Sequence, residues 1–409
     1  MQACRSCSGH DLQEVLSLGE MPPANALPTA SQLDDEEARY PLEVVMCTGC
    51  TLLQLTESPP PDELFVDYAY FSSRSTPMVD HARALVNEVM DERRLGPNDL
   101  VIEVASNDGY LLRHYRDLGV KVLGIDPAEN VVEVAVAAGI PTRVAFFTSS
   151  LADELRSEGL TASVVHANNV LAHVPDINDF VAGVARILSD DGVFVVETPY
   201  VRDLIEKLEF DTIYHEHVFY YSLHSVMELF ARNGLSVVDV KRIGIHGGSL
   251  RLRATPIKRA IKVGNSVAMM LRQEKDLGID DPSFYSDFAH RVDGLLDELR
   301  VFLGERRDQG RRIAGYGAAA KGTVLLNALG IGTETIEFVV DETPYKQGRF
   351  IPGVRIPIVG PGALLTQMPD DVLIFAWNFA DAIIEKEAAY RARGGVFLLP
   401  VPTPRVVTG

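Results

Sequence analysis

The four cysteines of this chain form two C-x-x-C pairs, Cys4-Arg5-Ser6-Cys7 and Cys47-Thr48-Gly49-Cys50, separated by about forty residues. Two such knuckles offer the four thiolates that Zn2+ takes in a tetrahedral shell. With Cys4, Cys7, Cys47 and Cys50 filling every position, the metal would be structural, and the chemistry must lie elsewhere. A redox C-x-x-C is the competing reading, but it would need a strand-to-helix context and leaves the second pair unexplained. A second chemistry-bearing run is Tyr214-His215-Glu216-His217, whose alternating histidines suit a proton-handling site, a metal site or a plain loop. The zincin helix pattern is not met, because H-E-x-x-H counted from His215 needs a histidine where Phe219 stands.

The elements that must position these groups can be read around them. A chain of 409 residues exceeds one compact core and implies two or three domains. Composition is ordinary for a globular protein, at 46% hydrophobic and 23% charged. No apolar run approaches the roughly 18 residues that span a bilayer, so no membrane association is expected. A net charge of −19 argues against a nucleic-acid partner. The opening MQACRSCSGH carries no export leader, which implies a cytoplasmic location. One basic stretch stands out: Lys241, Arg242, Arg251, Arg253, Lys258, Arg259 and Lys262 have no acid among them, and they would face a phosphate or form a solvated strand face.

From a helix at Thr76–Arg93 the chain alternates strands and helices. Strand-like runs are Leu100–Ala105, Lys121–Asp126, Thr142–Phe147, Ala162–Asn169 and Gly192–Thr198, which is the pattern of a doubly wound parallel sheet. Leu235–Ile243 and Ser249–Ala254, joined by His246-Gly247-Gly248, add an antiparallel pair at one edge. Seven strands ending this way point to a class I methyltransferase fold. Glu103-Val104-Ala105-Ser106-Asn107-Asp108-Gly109 ends the first strand, and this turn can receive the methionine and ribose parts of a cofactor. Asp126, ending the second strand, suits two ribose hydroxyls. Ala105 and Asn107 stand where the pattern E-x-G-x-G-x-G has glycines, so a nucleotide-binding fold with another cofactor, or none, stays open on this motif alone.

The cysteine pairs, Asp67-Tyr68-Ala69-Tyr70-Phe71, Ala105-Ser106-Asn107-Asp108-Gly109 and Tyr214-His215-Glu216-His217 together resemble the antibiotic deoxysugar C-methyltransferase family over nearly the whole chain. The resemblance implies an S-adenosylmethionine-dependent enzyme with structural Zn2+ that methylates C3 of a dTDP-4-keto-6-deoxy sugar bearing an amino or hydroxyl group there, while relatives methylate C5. Such a reaction needs a base to remove a proton beside the ketone, and a donor for the enolate. His217 is the expected base. Tyr214 would donate to the C4 oxygen, and Glu216 would orient an imidazole or bind the sugar. The resemblance also implies roles for Tyr68 and His173, the latter following Asn168 at the carboxyl edge of the fourth strand. Cofactor contacts are expected from Glu103, Ala105, Asn107, Gly109, Asp126 and Asn168.

A helix near Phe284–Gly304 sets Phe288, Val292, Leu295, Leu299 and Phe302 on one apolar stripe. It leads into a second alternating region, with strands at Arg312–Gly315, Ile336–Asp341, Val372–Trp377 and Val396–Leu399. The turn after Gly315 can bring backbone N–H groups and a helix N-terminus to a diphosphate, with Gly317, Lys321, Lys346, Arg349 and Asn378 as expected substrate contacts. A tight packing turn or an NAD site are the other readings. The expected architecture is α/β in three parts: a zinc-binding domain over 1–66, a class I Rossmann-like methyltransferase domain over 67–256, and a second Rossmann-like domain over 257–409. The expected assembly is a monomer or weak dimer with a dTDP-sugar as its partner. The rival functions are an NAD-dependent nucleotide-sugar oxidoreductase or dehydratase, and a non-catalytic zinc-module binding protein.

Overall fold

A computed structural model describes residues 3–60, 71–259 and 261–407. Tyr68, expected at the site, lies outside the described residues. Near the N-terminus, β1 (Leu12–Met21), β2 (Tyr40–Cys47) and β3 (Leu53–Leu55) pair antiparallel. Val15, Leu16, Leu42, Val44 and Met46 supply a small buried face, too little apolar surface for an independent fold.

The middle of the chain holds β4 (Leu100–Val104), β5 (Lys121–Asp126), β6 (Thr142–Val144), β7 (Ala162–Asn168), β8 (Leu188–Pro199), β9 (Phe219–Tyr220), β10 (Leu235–Ile243) and β11 (Ser249–Pro256). The seven-stranded sheet runs β10-β11-β8-β7-β4-β5-β6. Pairing among β6, β5, β4, β7 and β8 is parallel, whereas β11 is antiparallel to both β8 and β10. The antiparallel pair expected at one edge is therefore present, with the later strand on the inside. Val101, Ile102, Val164, Val165, Val195 and Val196 are fully buried, as parallel strands covered by helices on both faces require. β9 leaves this sheet and pairs antiparallel with β3, completing the N-terminal sheet in the order β1-β2-β3-β9.

The basic stretch has a different role from either expected one. Arg251 and Arg253 point at the helix Thr76–Arg93, where Arg251 bonds Glu88 at 2.9 Å and Arg253 bonds Glu92 at 2.6 Å. Arg251 also meets buried Glu197 at 2.6 Å, and Lys241 pairs with Glu88 at 2.5 Å. The acids that answer Lys241, Arg251 and Arg253 come from distant segments, so this part of the stretch is an ion-pair network, while Lys258 and Lys262 are exposed, as a solvated face expects.

In the C-terminal part, β12 (Ile313–Tyr316), β13 (Ile336–Val340), β14 (Ile358–Val359), β15 (Asp371–Ile374), β16 (Val396–Leu399) and β17 (Arg405–Val406) form a sheet in the order β14-β13-β12-β15-β16-β17. All neighbours are parallel except β16–β17. The preceding helix covers Phe288–Asp308. It starts later than expected because Asp281 caps a separate turn at Pro282–Phe284, accepting from Ser283 N at 2.8 Å. Phe288, Val292, Leu295 and Leu299 are buried as expected, while Leu303 takes the place of half-buried Phe302. Truncating Leu299 would cost about 2–5 kcal/mol.

Candidate functional site

The four cysteine sulfurs converge, with every Sγ within 4.8 Å of the others. Cys4 and Cys50 stand 3.6 Å apart, and Cys7 and Cys47 3.5 Å apart. A tetrahedron with Zn–S bonds of about 2.3 Å has S–S edges of about 3.8 Å, so the donor set fits zinc. Both knuckles lie on one closed cluster, which is unlike a strand-to-helix redox pair.

At the carboxyl edge of the central sheet the chain opens a cavity of about 710 Å3 that extends to the C-terminal sheet. Its first wall is the turn after β4. Ala105 and Asn107 have φ of 52° and 51°, and Gly109 has 76°. These are the left-handed conformations that glycine ordinarily supplies, so the turn keeps its shape with two of the three glycines replaced. Asp126 fixes it: one carboxylate oxygen accepts from Asn107 N and the other from Ala128 N, each at 2.9 Å. Burial raises the Asp126 carboxyl above its ordinary value. Asn107 in turn accepts from Ser72 N at 2.9 Å, drawing the segment before the first long helix over the cavity. Ala105, Asn107, Asp126 and Asn168 line the cavity together with Ala145, Phe147 and Tyr200. Glu103 lies beneath the turn, 1% exposed, its carboxyl pushed well up by burial and then by Asp126 and Asp108; Glu103 and Gly109 shape the turn without lining the cavity.

The opposite wall carries Tyr214, His217 and His173. His217 Nδ1 lies 3.0 Å from Thr212 O, which can only accept, so Nδ1 carries the proton and Nε2 is left as an acceptor for the Tyr214 hydroxyl at 2.8 Å. The His173 ring packs edge-on to His217 with centroids 4.7 Å apart. Burial holds His217 well below its ordinary pKa, and the neighbouring His173, Lys321 and His246 add to this, so the imidazole is neutral. Burial likewise lowers His173 to about 4. Glu216 points away from the cavity: its Oε1 accepts from Asn25 Nδ2 at 2.6 Å, and burial raises its carboxyl to about 7. His215 meets Tyr40 O at 3.2 Å. A turn closed by His217 N bonding Tyr214 O at 2.8 Å therefore sends 214 and 217 to the cavity, and 215 and 216 to the N-terminal part. The segment is held there by β9 and by Leu55 N bonding Val218 O at 2.8 Å.

The third wall comes from the C-terminal sheet. Lys321 is the one Lys or Arg among the described residues lining the cavity. Its ammonium bonds Asn378 Oδ1 at 3.1 Å and sits 4.0 Å over the Trp377 ring. Of the other expected substrate contacts, Asn378 lines the cavity, and Gly317, Lys346 and Arg349 do not. Gly317 N bonds Val340 O at 2.7 Å, and Ala318 N bonds Asp341 at 2.8 Å, so two amides of the glycine turn are used internally. A Cβ at Gly322 would meet the Phe375 ring at 2.9 Å, the mark of a packing turn. Lys346 donates to Ala318 O at 2.7 Å, while Arg349 donates to Leu27 O at 3.1 Å and stacks on Tyr345, fastening the N-terminal part.

Among the cavity residues that the sequence did not reveal are Glu209, His246 and Phe147. His246 had appeared only within a turn, and its φ of 54° was not foreseeable from its neighbours.

Comparison with known proteins agrees in family and order. Residues 4–65 match the zinc binding domain family, 80–240 the family described as methyltransferase domain, and 244–402 the family described as C-methyltransferase C-terminal domain. The chain is 38% identical to the C-methyltransferase NovU of Streptomyces niveus, over 99% of this chain and 96% of that protein. It is 27% identical to a ubiquinone biosynthesis O-methyltransferase of Bartonella quintana over 24% of this chain and 40% of that one. Among solved structures, the magnesium protoporphyrin IX methyltransferase of Synechocystis with bound SAM is 17% identical, with a TM-score of 0.33, covering 44% of this chain and 78% of that one.

Proposed function

The chain belongs to the family of S-adenosylmethionine-dependent C-methyltransferases that carry an N-terminal zinc-binding domain, and from that premise we propose that it methylates C3 of a dTDP-linked 4-keto-6-deoxy sugar. In this reading residues 1–66, 67–256 and 257–409 are its three domains, and it works as a monomer or weak dimer in the cytoplasm, in antibiotic deoxysugar assembly. The observation that carries the proposal is the tautomer of His217, fixed by Thr212 O with its basic Nε2 on the cavity side beside Tyr214. A neutral, water-excluded imidazole is a proton acceptor in the right place for a carbon acid.

Asp126, Asn107 and Asn168 would hold the ribose and methionine parts of S-adenosylmethionine, and Ala145 and Phe147 its base. When bound there, the cofactor supplies a sulfonium methyl group, an electrophile. His217 Nε2 takes the proton from the carbon beside the ketone. The Tyr214 hydroxyl swings from Nε2 to the C4 oxygen and donates to it as negative charge builds. His173, packed edge-on, keeps the His217 ring in its plane. Lys321, Asn378 and the N-terminus of the helix Ala320–Leu329 face the diphosphate end. Zinc has no part in the proton transfer; its thiolates hold the module against which the base-bearing segment is paired.

The test is incubation with methyl-labelled cofactor and a panel of dTDP-4-keto sugars. One labelled methyl at C3 supports the reading, a methyl at C5 moves the position, and no label on any keto sugar removes the substrate class.

A further inference from the structure

Glu209 is a carboxylate built into the cavity wall, and the steps above give it no task. It is 4% exposed, and its Oε1 has no hydrogen-bond partner among the described residues. The nearest cation is Lys207, 3.9 Å from Oε1, and that ammonium is held by Asp203 at 2.6 Å. Space around the carboxylate is reserved on one side: Gly247, at φ 93°, passes so close that a Cβ there would lie 2.6 and 2.7 Å from the two oxygens. A larger residue at 247 would displace the group, so the backbone is shaped around the acid.

Its position relative to the base is fixed. Thr212 Oγ1 donates to Glu209 O at 2.7 Å, and Thr212 O accepts from His217 Nδ1 at 3.0 Å, so one residue anchors both. Lys321 also lines the cavity, and its charge is felt by both Glu209 and buried Asp211. Two carboxylates against one ammonium leave acceptor capacity to spare: Glu209 Oε1 and Asp211 Oδ1 both lack a donor among the described residues. Burial raises the Glu209 carboxyl to about 7 against the pull of Lys207 and Lys321, as expected of an acid that lacks a donor.

A buried acceptor left unmatched costs free energy, which a ligand bearing the right donor recovers and a ligand lacking it does not. We infer that Glu209 is a specificity-determining residue that accepts a hydrogen bond from a donor on the keto sugar, an ammonium group in preference to a hydroxyl. The inference rests on the keto-sugar reading above. An ammonium is favoured because it matches both the missing donor and the surplus negative charge, and charge-assisted bonds are the stronger kind.

The test measures kcat/KM for wild type and Glu209→Gln on three dTDP-4-keto-6-deoxy sugars carrying an amino group, a hydroxyl or only hydrogen at C3. Wild type should rank them in that order. Glu209→Gln should lower the amino sugar by about 10- to 100-fold and leave the deoxy sugar nearly unchanged, flattening the ranking. Zinc content and cofactor affinity serve as controls for folding, and Glu209→Asp, which keeps the charge, should keep the order at reduced rates. A Glu209→Gln enzyme with wild-type ranking, or with all three substrates reduced alike, overturns the inference while the keto-sugar reading stands. Wild type inert on all three overturns both.

Discussion

The indole N–H of Trp377 donates to Asp211 Oδ2 at 2.7 Å, joining the C-terminal sheet to the segment that carries Tyr214 and His217. Asp211 is fully buried, and burial raises its carboxyl to about 6. Trp377→Phe keeps the ring under Lys321 but leaves that acid without its donor, at a cost of about 1–3 kcal/mol. The expected result is a fall in kcat/KM of about tenfold or more with cofactor affinity unchanged, checked by steady-state kinetics and calorimetry. Equal losses in both would place the bond in the cofactor site instead.

Asp126 shapes the turn after β4 and faces the cavity. Asp126→Ala should weaken S-adenosylmethionine binding by about 10- to 100-fold, because two backbone N–H groups lose their acceptor as well as the ligand. Asp126→Asn keeps only one of the two acceptor oxygens and should fall between. Isothermal titration would check the series.

Removing zinc should do more than soften the N-terminus. The base-bearing segment is paired to the zinc module through β3 and β9, so Cys47→Ser or a strong chelator should lower both the melting temperature and turnover. Cofactor affinity should hold, since no cysteine lines the cavity. Parallel measurement of zinc content, melting temperature and rate would check this.

Glu216 gives a pH signature. Its carboxyl is raised to about 7 in the folded chain, above its unfolded value near 4.5. A raised acid contributes stability that is complete below pH of about 4.5 and is lost as pH rises through about 7. Glu216→Gln, which keeps an acceptor for Asn25, should match wild type at pH 5 and exceed it by about 1–3 kcal/mol at pH 8. Denaturant melts at both values would decide, and equal stability at pH 8 would contradict the assignment.

Much of the fold was legible because its signals are local. The alternation from Leu100 to Ala254 follows side-chain periodicity, and every strand expected there is found within a few residues. The shape of the cofactor turn was legible through Glu103 and Gly109, although Ala105 and Asn107 hide it: left-handed backbone can be held by neighbours such as Asp126 as well as by glycine. Pairings between distant segments were not legible. Nothing near Arg251 announces Glu88, nothing near Phe219 announces β3, and Glu216 faces Asn25 because the chain turns there, His217 N bonding Tyr214 O, which puts 214 and 217 on one side and 215 and 216 on the other. The glycines after Gly315 read first as a phosphate turn, with a packing turn as an alternative, until the Phe375 ring is seen against them.

The most direct test of the account is solvent deuterium exchange into a dTDP-4-keto-6-deoxy sugar, followed by mass spectrometry, with wild type, Tyr214→Phe and His217→Asn. Wild type should wash deuterium into the carbon beside the ketone and, with cofactor present, add one methyl there. Tyr214→Phe should slow exchange, and His217→Asn should reduce both exchange and methylation by about 10²- to 10⁴-fold while still binding cofactor and sugar. Wild-type exchange by the His217→Asn enzyme would contradict the account and move the base to another residue of the cavity.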